Sequence, residues 1–449
     1  MTNDASNNKS SSRREFVKQT SLLASGLAVA PFLSGANFFS GSDDTIKIAL
    51  VGCGGRGTGA AMQALLTKEN VKLVAMADAF RDNLDKCYNS LMADDLSEST
   101  DRAVNVKRKM DVPEERKFTG FDAYSKAIAF ADVVILATPP GFRPIHFAEA
   151  INKGKHVFME KPVATDPAGI QKVLATAALA KQKKLNVVVG LQRHYQESYL
   201  ELFKRKDLIG DITSAQAWWN NDGVWVRARK PGQTEMEYQM RNWYYFNWLC
   251  GDHITEQHIH NIDVINWFKG GYPVKAQGMG GRQVRKGKDH GEIFDHHYVE
   301  FHYADGSILN SQCRHIPGTM SRVDELLVGT KGKIECGAAS ITDSKGKVIY
   351  QFDKKGEKNP YQTEHDELFA AIAKGEYKFA DAENGARSSM TSILGRMATY
   401  SGQIVEWDKA INSGLNLQPK TYAWDAMPQV VPDSEGAYAI ATPGVTKYV

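Results

Sequence analysis

One segment of the chain concentrates side chains that can transfer protons or bind metals. The stretch GDHITEQHIHNIDVINWF, residues 251–268, carries three histidines, one glutamate and two aspartates. On a helix, Glu256 and His260 are four residues apart and share a face, with His253 and Gln257 on or near it, while His258 points elsewhere. Histidine and carboxylate groups on one face suit acid–base catalysis or metal coordination.

The metal interpretation rests on four possible ligands, namely His253, Glu256, His258 and His260. Their spacing matches no known zinc pattern, and His258 leaves the shared face. We therefore predict no metal site. His258 is interpreted as a core histidine, and His260 as the residue that exchanges protons.

A glycine-rich loop lies near the start of the chain, in TIKIALVGCGGRGTGAA. Gly52, Gly54 and Gly57 satisfy the pattern G-x-G-x-x-G between an apolar strand and a helical stretch. Such glycines allow a tight turn, close approach of a pyrophosphate and close packing of helix on strand. The loop predicts a dinucleotide site, although a glycine-rich turn in an unrelated α/β domain is the other interpretation.

Asp78 ends the next apolar run, VKLVAMAD, 21 residues after Gly57. A carboxylate there can accept hydrogen bonds from the adenosine ribose and repels a 2′-phosphate. The position predicts NAD as the cofactor. Arg56 and Arg81 keep NADP open as the less favoured choice.

Strand and helix patterns alternate from residue 44 to residue 192, which indicates a doubly wound parallel sheet. Ligands of such sheets lie beyond the carboxyl ends of the strands. Thr138, Pro139, Lys161 and Arg193 fall at those ends.

The segment MEKPVATD closely resembles the glucose–fructose oxidoreductase, inositol dehydrogenase and MocA family. Glu160-Lys161-Pro162 matches its Glu-Lys-Pro signature, and the glycine loop, ATPP, GLQR and the histidine segment follow in the expected order. The resemblance implies an α/β fold, with a Rossmann domain at 44–192. An α+β domain at 193–449 would follow, with a large, open, mainly antiparallel sheet for substrate binding and oligomerisation. It also implies a homo-oligomer.

The resemblance implies site residues as well. Lys161 and His260 would be catalytic, with Glu256 at a position where the family has an aspartate that orients the histidine. The cofactor-binding set is Gly52, Gly54, Gly55, Arg56, Gly57, Asp78, Thr138, Pro139, Pro140, His146, Glu160, Lys161, Gln192 and Arg193.

An aromatic and polar segment, residues 218–253, suits a carbohydrate or polyol substrate, because rings stack on sugar C–H faces while polar groups bind hydroxyls. Candidate substrate-binding residues are Arg241, Asn242, Trp243, Trp248, Asp252 and His253. The irregular tail from Gly414 is interpreted as an arm that packs on a neighbouring copy.

Residues 1–36 have the pattern of an export signal, with Arg13 and Arg14 before a short apolar run from Leu22 to Leu33. The stretch SRREFVK resembles the twin-arginine motif, whose pathway exports proteins already folded. The sequence therefore predicts a periplasmic or exported protein with no stable membrane span beyond the signal. An apolar run this short does not cross a bilayer.

Net charge and cysteine usage exclude some classes. The formal net charge is +3 over 449 residues, which argues against a nucleic-acid partner bound by bulk charge. Five scattered cysteines give no disulfide or metal pattern.

The sequence thus predicts an NAD-dependent oxidoreductase that acts on a hydroxyl of a sugar, glycoside or polyol. The alternative is an NAD-dependent glycosidase that works by transient oxidation, elimination and water addition, since an exported enzyme lacks a free NAD pool. A non-catalytic sugar-binding relative is the third interpretation, and retention of both Lys161 and His260 counts against it.

Overall fold

The computed structural model describes residues 44–93 and 104–447. The predicted export signal, residues 1–36, lies outside these residues. No helix in the described ranges combines the length and apolar character that a membrane crossing requires.

The first half of the described chain forms a six-stranded parallel sheet, as the sequence predicted. Its order is β3-β2-β1-β4-β5-β6, so strand order reverses beside β1, where such sheets bind ligands. The strands are β1 (Ile46–Val51), β2 (Val71–Asp78), β3 (Lys117–Thr119), β4 (Val133–Leu136), β5 (His156–Met159) and β6 (Val187–Val189).

Helices connect these strands and cover the sheet. Helix α5 (Pro167–Gln182) has clear start signals. The Asp166 side chain accepts from the backbone N–H of Gly169, and Pro167 occupies the first turn. The helices are α1 (Gly55–Leu65), α2 (Arg81–Met92), α3 (Ala123–Ile128), α4 (Arg143–Asn152), α5 (Pro167–Gln182) and α6 (Glu197–Lys204).

The second half forms a nine-stranded sheet of order β14-β13-β12-β11-β7-β10-β9-β8-β15. Among its described strands, only β7 and β10 pair in parallel, which confirms the mainly antiparallel sheet. The strands are β7 (Ile212–Asn221), β8 (Lys275–Gly281), β9 (His296–His302), β10 (Ile308–His315), β11 (Arg322–Gly329), β12 (Gly332–Glu335), β13 (Ser340–Asp343), β14 (Val348–Gln351) and β15 (Val405–Glu406).

The helices of this half are α7 (Glu235–Arg241), α8 (Asn247–Cys250), α9 (His253–Glu256), α10 (Ile259–Lys269), α11 (Pro360–Ala373), α12 (Ala382–Ser401) and α13 (Trp407–Ile411). Helix α12 is almost wholly buried, and its Ile393 and Met397 share a core with Val299 and Phe301 of β9. This arrangement covers one face of the nine-stranded sheet.

No single position in the sequence divides the described chain into one part for each sheet. Leu368 and Phe369 of α11 are fully buried in the same core as Ile48 and Phe158 of the parallel sheet. Residues from Asp44 onward form one compact unit. The domain boundary at 192/193 therefore stays a prediction.

The histidine segment forms two helices, α9 and α10, where we expected one. Asp252 begins α9 with φ +68°, and its side chain accepts from the backbone N–H of His253. After Glu256 the pattern is irregular, because the N–H of His258 bonds to the carbonyl of His253 and that of His260 to Gln257. The break changes which side chains can face each other.

The tail from Gly414 packs against its own chain, and its interpretation as an arm on a neighbouring copy stays a prediction. The ring of Trp424 lies 5.2 Å from that of Phe80 and 4.7 Å from that of Phe121. Farther along, the Tyr438 hydroxyl donates to Glu235 at 2.6 Å. The tail thus supports residues on both sides of the cleft described below.

Candidate active site

A cleft of about 630 Å³ opens at the carboxyl ends of the parallel strands. One wall comes from the glycine loop and the strand ends, and the other from residues 224–257. Predicted residues that line it are Gly52, Gly54, Gly55, Arg56, Asp78, Thr138, Pro139, His146, Arg241, Trp243 and Glu256.

The glycine loop has the shape that a dinucleotide needs. Gly52 adopts φ +99°, and a Cβ there would lie 2.5 Å from the carbonyl carbon of Ala137, while a Cβ on Gly57 would lie 1.9 Å from Gly52 O. Gly54 and Gly55 instead have open space where a Cβ would stand. Since α1 begins at Gly55, its free N–H groups are available to phosphate oxygens.

Asp78, the predicted ribose ligand, is fixed by backbone hydrogen bonds. Its Oδ2 accepts from the backbone N–H of Cys53 at 2.7 Å, and its Oδ1 from that of Phe80 at 2.9 Å. Burial is the largest influence on its carboxyl and raises its pKa. Oδ1 also accepts from the Asn83 side chain at 3.4 Å, which leaves Oδ2 with a further lone pair for a hydroxyl donor.

The two arginines that could accept a 2′-phosphate are engaged elsewhere. Arg81 bonds to Asp85 at 2.8 Å and to Glu114 at 2.6 Å. Arg56 lines the cleft but its guanidinium donates to Glu160. This arrangement favours NAD over NADP.

A buried arginine that sequence reasoning missed shapes the cofactor wall. Arg143 donates to the carbonyls of Glu160 and Pro162 at 2.7 Å each, and also to that of Thr138. It thereby joins the chain after β4 to the chain after β5. Nearby, the Thr138 hydroxyl lies 3.2 Å from His146 Nδ1, and burial lowers the pKa of His146 to about 3.

Several predicted cofactor residues lie behind the wall instead of on it. Arg193 bonds to Glu325 at 2.5 Å, and the buried Oε1 of Gln192 has no partner among the described residues. Those that do not line the cleft are Gly57, Pro140, Glu160, Lys161, Gln192 and Arg193.

Lys161 follows β5 and contacts Glu256, which lines the cleft. Its Nζ donates to the carbonyl oxygen of Glu256 at 2.7 Å and to Oε1 at 3.1 Å. An ammonium has three donor protons. No third acceptor is found within the described part of the chain, so one proton is available to a substrate oxygen.

We expected Glu256 to orient His260 across one helical turn. No hydrogen bond joins their side chains within residues 44–93 and 104–447, because the helix breaks between them. The Glu256 carboxylate instead holds Lys161. Glu256 therefore contacts Lys161 and does not hydrogen-bond to His260 within the described residues.

His260 is buried beside positive charge. Its ring lies 5.9 Å from that of Trp219, and its Nδ1 has no partner among the described residues. Burial lowers its pKa far below the usual value of 6.5, and the charges of Lys161, Arg193 and Arg56 lower it further. The imidazole is thus neutral, and one of its ring nitrogens can accept a hydrogen bond.

The predicted substrate residues separate into two groups. Arg241 and Trp243 line the cleft, but Arg241 bonds to Asp82 at 2.7 Å and stacks on Phe80, at the adenosine end. Asn242 and Trp248 are buried away from the cleft lining. Trp248 donates its Nε1 proton to Gln239 at 2.6 Å.

Asp252 and His253 belong to a fully buried group that also contains His297 and Tyr400, named here the Asp252 cluster. Possible ligand atoms of Asp252, His253 and His297 lie within 4.8 Å of one another. However, Asp252 Oδ1 already accepts from the N–H and Nδ1 of His253, and Oδ2 from Phe294 N–H and the Tyr400 hydroxyl. With both oxygens occupied, the group fits a structural hydrogen-bond cluster better than a metal site.

The residues that line the cleft and that sequence reasoning did not predict as ligands include Trp225, Arg227, Tyr244 and Gln257. Tyr244 is buried, and its hydroxyl has no partner among the described residues. The one sequence feature that pointed to Gln257 was its position directly after Glu256.

Comparison with known proteins agrees with this geometry. The model of the Gfo/Idh/MocA family, described as an oxidoreductase family with the NAD-binding Rossmann fold, matches residues 46–191. Over these residues the chain matches that family, whose motifs were identified in its sequence.

Several curated relatives are inositol dehydrogenases. Inositol 2-dehydrogenase of Gluconacetobacter diazotrophicus is 30% identical over 173 residues, which cover 38% of this chain and 45% of that protein. Its counterpart in Burkholderia multivorans is 27% identical over 252 residues, covering 55% and 61%. The chain spans about half the length of the curated relatives it matches.

Solved structures show the same fold over more of the chain. Scyllo-inositol dehydrogenase from Lactobacillus casei, with bound NAD(H) and scyllo-inositol, aligns with a TM-score of 0.59 at 20% identity, covering 81% of this chain and 99% of that one. Aldose-aldose oxidoreductase from Caulobacter crescentus aligns with a TM-score of 0.59 at 17% identity, with the same coverage. At these identities the likeness establishes the architecture.

Proposed function

We propose that this chain is an NAD-dependent oxidoreductase that acts on a hydroxyl of a sugar, glycoside or polyol. The observation that carries the proposal is the contact of Lys161 with Glu256, which lines a cleft that begins at the glycine loop, with the buried His260 at the start of the next helix. Relatives named as inositol dehydrogenases support the polyol class.

The residues divide the chemistry between them. A bound nicotinamide would accept the hydride from the carbinol carbon, which becomes a carbonyl carbon. Lys161 uses its third donor proton to polarise the reacting oxygen, and Glu256 fixes the ammonium in place. Neutral His260 accepts the hydroxyl proton, which balances the hydride that leaves the carbon.

The proposal is tested with the purified, cofactor-loaded protein and a panel of inositols, aldoses and glycosides. We expect growth of the reduced-nicotinamide absorbance with at least one polyol or sugar, and its loss in Lys161→Met. Absence of oxidation across the panel would reject the proposal. Release of an aglycone with no net reduction would replace it with the glycosidase reaction.

We also propose export through the twin-arginine route, on the basis of Arg13 and Arg14 before the apolar run. Replacing both by lysine is expected to retain the protein in the cytoplasm, as followed by cell fractionation. Equal periplasmic amounts of the two forms would contradict export by this route.

A homo-oligomer is proposed from the uncovered face of the nine-stranded sheet. Met279, Tyr298, Gln312 and Trp218 lie opposite one another across four strands, and Met279 is 70% exposed. Light scattering is expected to give a multimer that Met279→Glu with Tyr298→Arg dissociates. A monomeric parent protein would refute this assembly.

A further inference from the structure

A chain of three side chains leads from the protein interior to the cleft. Arg285 is buried, and its Nη2 lies 2.5 Å from Nδ1 of the buried His315. His315 Nε2 lies 2.7 Å from Oε1 of Gln257, which lines the cleft.

Elementary hydrogen-bond chemistry fixes the direction of this chain. A guanidinium only donates, so Nδ1 of His315 must accept and the ring proton must sit on Nε2. That proton requires an acceptor, so Gln257 must present its oxygen to His315 and turn its NH2 group the other way. Burial and the nearby charges of His253 and Arg285 lower the pKa of His315, which keeps the ring in this neutral form.

The NH2 group of Gln257 has no acceptor within the described residues, where its one side-chain hydrogen bond is to His315. It lies next to Glu256, which holds Lys161. Tyr244 stacks on His315 with ring centroids 6.0 Å apart and adds its unpartnered hydroxyl to the same wall. The Gln257 NH2 group and the Tyr244 hydroxyl are therefore two polar groups of the cleft wall that can bind a ligand next to Glu256 and Lys161.

We propose that Gln257 is a specificity-determining residue whose NH2 group, oriented by His315 and Arg285, donates to a second substrate hydroxyl on the carbon next to the reacting one. The inference rests on the proposed function and deepens it. It names vicinal diols, as found in inositols and aldoses, as the substrate class, and His315 as a positioning residue.

The test compares each oxidised polyol with its deoxy analogues that lack one hydroxyl beside the reacting carbon. The measured quantity is the ratio of kcat/KM for parent over analogue. Gln257→Met removes the donor, and Gln257→Glu keeps an acceptor for His315 but has no NH2. Gln277→Met, on the exposed strand β8, is the matched control.

We expect the wild type and Gln277→Met to prefer the parent over one analogue by about 10- to 100-fold, and both Gln257 variants to lose that preference. His315→Asn should lower the ratio in the wild-type background and leave it unchanged in Gln257→Met. Thermal melts confirm that each variant is folded.

Two results would overturn the inference in distinguishable ways. If the wild type oxidises polyols and Gln257→Met keeps the full ratio, Gln257 does not read a second hydroxyl, while the proposed function stands. If the cofactor-loaded wild type oxidises no polyol or sugar, the proposed function fails and this inference fails with it.

Discussion

At the scale of single residues, the site depends on one ammonium held by one glutamate. Both partners are about equally buried, with side chains 14% exposed, so the pair is shielded from water but open to a ligand. Glu256 uses its backbone carbonyl as well as its carboxylate, which fixes Nζ of Lys161 from two sides. This geometry leaves a defined direction for the third donor proton.

The first prediction concerns Lys161. Lys161→Met should lower kcat by about 100- to 10,000-fold, because polarisation of the reacting oxygen is lost. Cofactor content should not change, since Lys161 does not line the cofactor wall. Steady-state kinetics and dinucleotide analysis measure both, with the exposed Lys172→Met as control. A kcat within about threefold of wild type would remove Lys161 from the mechanism.

The second prediction concerns pH. A histidine whose pKa lies far below 6.5 stays neutral as the pH falls through that value, so His260 remains a proton acceptor. We expect kcat/KM to show no loss centred near pH 6.5 in a profile from about pH 5 to pH 8. An acid limb with its midpoint there, abolished in His260→Gln, would show that the ring titrates normally.

At the scale of elements, the turn before α9 sets the site. Asp252 adopts a left-handed φ of +68° that is uncommon for a residue with a side chain, and the Asp252 cluster holds it there. Helix α9 begins after this turn, and Glu256 at its end and Gln257 directly after it line the cleft. The Asp252 cluster thus has a structural role, which is to position α9.

The third prediction tests this cluster. Tyr400→Phe removes one donor to Asp252 and should lower the free energy of unfolding by about 1–2 kcal/mol, with KM nearly unchanged. Asp252→Asn should cost more, about 3 kcal/mol, since several buried donors lose a charged acceptor. Urea titrations measure both, with exposed Tyr377→Phe as control. Equal stabilities for the Tyr400 and Tyr377 variants would contradict the assignment.

At the scale of the whole molecule, the C-terminal tail and the buried histidines tie the halves together. Trp424 packs on Phe80 and Phe121, two residues that line the cleft. His365 on α11 is fully buried against Phe158 of β5, with rings 4.2 Å apart.

The fourth prediction follows from the tail. Trp424→Ala should weaken dinucleotide binding by about tenfold, because the support behind the cleft wall is lost. Equilibrium binding measures the effect, and Met427→Ala, at an exposed position of the same tail, serves as control. An unchanged dissociation constant would show that the tail does not support the cofactor wall.

The fifth prediction concerns acid stability. Burial lowers the pKa of His146, His258 and His365 to about 3, below the usual 6.5. Their contribution is fully present above about pH 6.5 and is lost as the pH falls toward 3, because only the unfolded state binds protons there. Each should cost up to about 2 kcal/mol between pH 7 and pH 5. Unchanged urea midpoints over that range would contradict neutral burial.

The sequence predicted what depends on local pattern. The glycine spacing, the strand ending in Asp78 and the alternation of strands and helices each follow from neighbouring residues, and the structure has them. The substrate wall depends on distant contacts. Periodicity could not show that Asp252 takes a positive φ, so a single helix was expected and Glu256 was placed against His260. For the same reason Trp248 was expected in the cleft, where Tyr244 and Gln257 lie.

The central claim is that this cleft moves a hydride from a polyol carbon to a bound nicotinamide, with Lys161 at the reacting oxygen. The most direct measurement incubates the loaded protein with polyols and sugars deuterated on carbon, then determines deuterium in the released dinucleotide by mass spectrometry. We predict deuterium in the nicotinamide ring for the wild type, and its appearance about 100- to 10,000-fold more slowly for Lys161→Met. A dinucleotide free of deuterium with every substrate would contradict the account.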